Sequence, residues 1–256
     1  MGLSLTIDQG NTRAKVVVWD GNTPVYENGY ESLSPDDLRR LLAQYPVDKA
    51  IASSVAVPVD TLSQFLADEI GIRLIELRPG MATPLKVDYA TPETLGVDRL
   101  AAAVGAAALH PGKELLVVDA GTAVTYDRVT ARGHYVGGNI APGVGMRLRA
   151  LNNYTARLPL INSYGETRLW GNTTETALRS GAINGVVAEI SYYRSRLPLG
   201  AVTVITGGWG REIASKLDFE TDYQELLVNC GLNSILNYHQ LILSILSQNE
   251  NKQTNR

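Results

Sequence analysis

Leu115-Leu116-Val117-Val118-Asp119-Ala120-Gly121-Thr122-Ala123 repeats, 111 positions later at its aspartate, the pattern of Leu3-Ser4-Leu5-Thr6-Ile7-Asp8-Gln9-Gly10-Asn11-Thr12. In both copies an apolar run ends in Asp-x-Gly followed by a polar residue. A second apolar run then begins, Val16-Val17-Val18-Trp19 in the first copy and Val124-Thr125-Tyr126 in the second. That pattern reads as strand, turn, strand. Asp20-Gly21-Asn22 supplies another turn before a short strand at Val25-Tyr26. Likeness at such a distance predicts a duplicated domain rather than a solenoid.

Working outward, Pro35 to Tyr45 reads as a helix with Ser34 as N-cap. Ala50 to Val55 reads as a buried strand, Thr61 to Ile70 as a helix, and the alanine-rich Val97 to Leu109 as another. In the second half a long helix is expected over Asn172 to Leu197. The strand Val202 to Ile205 ends at Thr206-Gly207-Gly208, and a last helix covers about Ser234 to Ser247. The polar tail Gln248 to Arg256 reads as disordered. Alternating strands and helices predict an α/β architecture. The expected domains are 1–112 and 113–247, with 248–256 as the tail.

Composition narrows the function. The 256 residues are 45% apolar and 19% charged, which excludes disordered and fibrous classes. A net charge of −3 leaves no basic reserve for neutralising a run of phosphates, so nucleic acid is not an expected partner. The lone Cys230 excludes an internal disulfide and a cysteine-rich zinc site, and it fits a core thiol in a reducing cytoplasm. No targeting signal or membrane span is read in the chain, although Met1-Gly2-Leu3-Ser4-Leu5-Thr6 fits the loose myristoylation pattern. His110, His134 and His239 lack zinc spacing, and Trp19, Trp170 and Trp209 read as packing residues.

The glycine turns carry the chemistry. A Gly after a strand lets backbone N–H groups approach an anion, Thr12 adds a hydroxyl, Lys15 adds charge, and Asp8 suits hydrated magnesium. One such turn is an ordinary hairpin; two after comparable strands predict a polyphosphate held between two domains. Walker and dinucleotide-binding glycine patterns are absent. Gly137-Gly138-Asn139-Ile140-Ala141-Pro142-Gly143 reads as a third glycine loop, and Gly207-Gly208 would let an adenine ring lie against backbone. Thr94-Leu95-Gly96-Val97-Asp98-Arg99 opens a helix. Asp98 there is either a dipole-complementing acid or a general base, and Arg99 either a surface residue or an anion clamp.

These motifs, in this order, resemble those of type III pantothenate kinases over about Leu3 to Gly208. The resemblance implies two duplicated ribonuclease H-like domains of the actin/sugar kinase/Hsp70 superfamily with an interdomain cleft. It implies phosphorylation of pantothenate by ATP, the first step of coenzyme A synthesis, by a cytoplasmic homodimer. The segment Asp8, Gln9, Gly10, Asn11, Thr12, Arg13, Ala14 and Lys15 resembles the first phosphate loop, with Asp8 near Mg²⁺ through water. Asp98 matches the general base, while Tyr89, Gly96, Val97 and Arg99 match pantothenate contacts. Asp119 matches the ligand of a monovalent cation, K⁺ or NH₄⁺, and Thr122 a nucleotide contact. Thr174 resembles a substrate contact at the dimer interface, with Thr173 one register away. A kinase of the same superfamily for another small hydroxy or carboxylate substrate, and a non-catalytic relative, are the competing readings.

Overall fold

The computed structural model describes residues 2–10, 12–54, 59–162 and 164–254, with side chains described as far as Ser247. The chain forms two compact units, Met1–Leu109 with Leu227–Arg256, and His110–Leu226.

In the first unit, β1 (Leu3–Gln9), β2 (Ala14–Asp20) and β3 (Thr23–Tyr30) form an antiparallel meander. After α1 (Pro35–Leu42), β4 (Val47–Ser54) lies parallel to β1 on its other side. β5 (Leu74–Glu76) follows α2 (Asp60–Phe65) and lies parallel to β4, giving the order β3-β2-β1-β4-β5; a two-residue strand, β6 (Lys86–Val87), comes next in the chain. Period-two alternation sorts the two faces of this sheet. Leu5, Ile7, Val16 and Val18 join Leu38, Leu41, Leu62 and Phe65 from α1 and α2 in one core. Ser4, Thr6 and Asp8 therefore point to the opposite face.

That opposite face is covered by α3 (Val97–Leu109) and α7 (Leu227–Thr254), which pack on each other. Their close approach explains two glycines. A Cβ on Gly231 would fall 1.8 Å from the Ala101 carbonyl oxygen, and one on Gly105 2.4 Å from that of Leu227.

The second unit repeats the plan. β7 (Leu115–Ala120), β8 (Ala123–Val129) and β9 (His134–Pro142) are antiparallel neighbours, while β10 (Val202–Thr206) and β11 (Asp222–Tyr223) run parallel to β7. These five strands run in the order β11-β10-β7-β8-β9. Leu116, Val118 and Ala120 pack with α4 (Val144–Asn153), α5 (Thr174–Arg194) and α6 (Gly210–Ala214), so Asp119 points to the other face, as Asp8 does.

Several expectations are met and several corrected. Ser34 caps α1 with a complete capping box, its hydroxyl accepting from Asp37 N–H. The helix expected over Thr61 to Ile70 becomes α2 followed by a π-helical turn, Leu66–Ile70, closed by Gly71 at φ 78°. The strand expected over Ala50 to Val55 is β4; Val55 itself lies outside the described residues.

The stretch Gly137 to Gly143 is not a loop. Its first six residues are the end of β9, and Gly138 sits where a Cβ would strike the Tyr126 carbonyl oxygen at 2.1 Å. Backbone pairing with β8 claims a sequence whose composition reads as irregular. The final helix starts seven residues before Ser234 and runs to Thr254, so the expected disordered tail is helical that far. It also folds on the first unit, not the second, and the first boundary falls after Leu109 rather than 112. An amphipathic helix declares that it needs a sheet face but not which face.

Candidate active site

β1 delivers Asp8 to the face shared with α3. Across the hairpin its register partner is Lys15, and on the parallel side it is Ser53. The buried Ser53 hydroxyl donates to Asp8 Oδ1 at 3.0 Å. Desolvation pushes the Asp8 carboxyl up to about 6, and the negative charge of nearby Asp98 adds to the rise. The Ser53 hydrogen bond and the Lys15 ammonium pull the other way without prevailing.

The turn after Asp8 closes on itself. Gly10 N–H donates to the Arg13 carbonyl at 3.1 Å, so this N–H is spent on the hairpin and is not one of the anion donors expected there. Gln9 and Gly10 are half-buried, Thr12 and Arg13 exposed, Ala14 buried and Lys15 half-buried; Asn11 lies outside the described residues. The Arg13 guanidinium lies across Gly29 of β3, where a Cβ would overlap it.

Asp98 stands in the first turn of α3, its Oδ1 accepting the Arg99 backbone N–H at 2.8 Å. Gly96 makes this possible. A Cβ there would sit 2.6 Å from Asp98 Oδ1, while the Gly96 carbonyl accepts Leu100 N–H at 3.1 Å. Arg99, read as a surface residue in one alternative, is only 7% exposed, and Val97 is equally buried. Tyr89 is half-buried in the loop that precedes the helix. Asp8, Lys15, Ser53 and Asp98 are thus gathered at one end of the first sheet. The sequence marks Ser53 as part of a buried strand but not as a site residue; a serine at a strand end carries no such signal until its parallel neighbour is known.

In the second unit Asp119 opposes Thr125 on β8 and Thr206 on β10. Its carboxylate is packed between glycines: a Cβ on Gly207 would fall 2.5 Å from Oδ1, and one on Gly121 3.2 Å. Gly207 has φ 89°, and the following Trp209 N–H donates to the Ala120 carbonyl at 3.0 Å, fixing this corner. Gly143 packs on the carbonyls of Gly121 and Thr122 and donates to the latter at 3.2 Å. Thr122 is exposed. Thr173 is the N-cap of α5, its hydroxyl accepting Thr176 N–H at 3.1 Å, whereas Thr174 is exposed at the first helical position. Trp170, expected as a packing residue, is 83% exposed.

The donor chemistry fits the cations expected. Two neighbouring carboxylates, one held at raised pKa by desolvation, form a site that a divalent cation would neutralise. Among the described residues no three His, Cys, Asp or Glu side chains gather into a metal cluster. Magnesium at Asp8 would therefore be completed by water and phosphate oxygens. Asp119, set among backbone atoms, offers the oxygen ligand a hard monovalent cation takes.

A five-strand order shared by the two sheets, each with an acidic hairpin at the same place, defines the duplicated ribonuclease H-like fold of the actin/sugar kinase/Hsp70 superfamily. Solved structures share it. An activator of 2-hydroxyisocaproyl-CoA dehydratase from Clostridium difficile superposes with TM-score 0.54 at 12% identity, covering 97% of each chain. The ROK hexokinase of Thermus thermophilus gives 0.51 at 12% identity, covering 93% of this chain and 99% of that one.

Within that class the sequence is more specific. The family model of type III pantothenate kinase matches residues 4–196. The type III pantothenate kinase of Phocaeicola vulgatus is 40% identical over 240 residues, 93% of this chain and 99% of that protein. The chain belongs to the type III pantothenate kinase family.

Proposed function

We propose that this protein transfers the γ-phosphoryl group of ATP to the primary hydroxyl of pantothenate, giving 4'-phosphopantothenate, the first step of coenzyme A biosynthesis. Family membership supports the substrate. The observation that carries the chemistry is the gathering of Asp8, Lys15 and Asp98 at one strand end. Phosphoryl transfer needs positioning and charge neutralisation more than covalent help.

In this reading Asp98 orients the pantothenate hydroxyl and takes its proton as the oxygen bonds to phosphorus and the bond to the departing ADP oxygen breaks. Its bond to Arg99 N–H and the space over Gly96 hold the carboxylate in place. Arg99 and Tyr89 bind pantothenate beside Gly96 and Val97, Thr174 adds a contact, and the exposed Thr122 meets the nucleotide. Lys15 faces the phosphates, and Mg²⁺ at Asp8 with K⁺ or NH₄⁺ at Asp119 would neutralise phosphate charge.

A homodimer is part of the proposal. Leu160, Leu169 and Trp170 are exposed by 62%, 79% and 83%, and they are apolar side chains that a second copy would cover. A cytoplasmic location is proposed too; among the described residues no helix is long and apolar enough to cross a membrane.

An ADP-release assay with pantothenate, acetate and glucose as acceptors tests the assignment. Turnover with pantothenate alone is expected. Turnover with another acceptor, or phosphate release with none, overturns it.

A further inference from the structure

Between the active-site end of β1 and the start of the same strand runs a buried polar stripe. On α7, Asn229 and Asn233 are one turn apart, 1% and 2% exposed, and both face the first sheet. Asn233 serves the far end, accepting from the Ser4 hydroxyl at 2.7 Å and donating to the Gly21 carbonyl at 2.8 Å. Asn229 serves the near end. Its Nδ2 donates to Thr6 Oγ1 at 3.0 Å and to the Lys15 carbonyl at 3.2 Å. The Thr6 hydroxyl also accepts from Trp19 Nε1 at 2.9 Å and donates to the Val17 carbonyl at 3.4 Å, so its capacity is filled.

Asn229 is an odd choice for stability. Its Oδ1 is buried with no hydrogen-bond partner among the described residues. The amide cannot be turned round to relieve this, because the Lys15 carbonyl would then face an oxygen. An orphaned buried acceptor is costly, and an apolar side chain of similar size would avoid that cost. The position is better explained by what its N–H groups hold. Thr6 is two residues before Asp8 on the same face, and Lys15 is Asp8's register partner.

We propose that Asn229 is a positioning residue for the nucleotide-binding hairpin, clamping Thr6 and the Lys15 backbone so that Asp8 and the Lys15 ammonium are presented in fixed register. This rests on the reading of that hairpin as the phosphate loop. Because α7 follows the second unit in sequence yet packs on the first, the hairpin depends on a residue more than 200 positions away.

The test measures ATP binding by calorimetry and KM for ATP and for pantothenate in Asn229→Leu, Asn229→Ala and Asn233→Leu. Both Asn229 variants are expected to raise the ATP Kd and KM about five- to tenfold with the pantothenate KM held. Asn233→Leu, which removes similar bonds at the other end of the strand, is expected to stay within about twofold while lowering Tm. Equal ATP affinity in Asn229→Leu, Asn229→Ala and the parent overturns the proposal, as does an equal loss in Asn233→Leu. Should neither Asn229 variant fold, Thr6→Val removes the hydroxyl anchoring the amide; an unchanged ATP Kd there overturns it equally. A parent protein that binds no ATP defeats instead the phosphate-loop reading itself.

Discussion

The Ser53 hydroxyl donates to Asp8 Oδ1 from the adjacent parallel strand, and this bond is not enough to offset the desolvation of the carboxyl. Asp8 is thus held in a state the fold alone does not favour. In the proposed function a cation bound beside Asp8 would offset that charge at neutral pH.

Asp8→Asn is therefore expected to abolish turnover while raising stability. The carboxyl is raised from 3.8 to about 6 in the folded protein. Its contribution to stability is fully present below the unfolded value and is lost as pH climbs through about 6. The variant lacks this loss. Its Tm should match the parent near pH 4 and exceed it from about pH 6.5 upward, by on the order of 2–3 kcal/mol in free energy. Thermal melts across pH without added metal check this; a parent that melts higher at pH 7.5 refutes the account.

Asp98→Asn keeps the shape of the α3 N-terminus but cannot accept the hydroxyl proton. Turnover should fall about 10²- to 10⁴-fold with ATP affinity nearly unchanged. Gly96→Ala should act in the same direction, because its methyl group would displace the carboxylate of Asp98. Steady-state kinetics beside calorimetry separates the two quantities.

The adjacent threonines of α5 should part company. Thr173→Ala removes the N-cap and should cost about 1 kcal/mol of stability with a modest kinetic effect. Thr174→Ala should leave Tm unchanged and raise the pantothenate KM. Reversal of this pattern would move the substrate contact to Thr173.

Activity should require K⁺ or NH₄⁺, and sodium alone should not support it. Asp119→Asn should remove the response to these ions. Gly207→Ala should do so too, since it demands a Cβ at φ 89° and 2.5 Å from Asp119 Oδ1. Full activity of the parent in sodium would refute the role of Asp119.

Much of this arrangement was legible in the chain itself. Val97 to Leu109 is a helix with the bounds expected, Ser34 caps where its spacing says, and both acidic hairpins sit where the repeat places them. Short-range signals of that kind report periodicity and turn chemistry, which are properties of neighbours in sequence. Gly137 to Pro142 misled, because its strand is defined by a partner's backbone and not by its own side chains.

From the sequence alone follow the duplication, the two aspartates and the family, since each is written in local order and residue type. The tertiary structure decided the rest: that Ser53 and Asp98 attend Asp8, that Gly10 N–H is spent on its own turn, and that α7 returns to the first unit to place Asn229 under the hairpin. Apart from the Gly10 turn, those relations join residues by burial and hydrogen bonding across tens to hundreds of positions. An apolar helix face or a lone serine carries no mark of the surface it will meet, so only the packed chain could assign them.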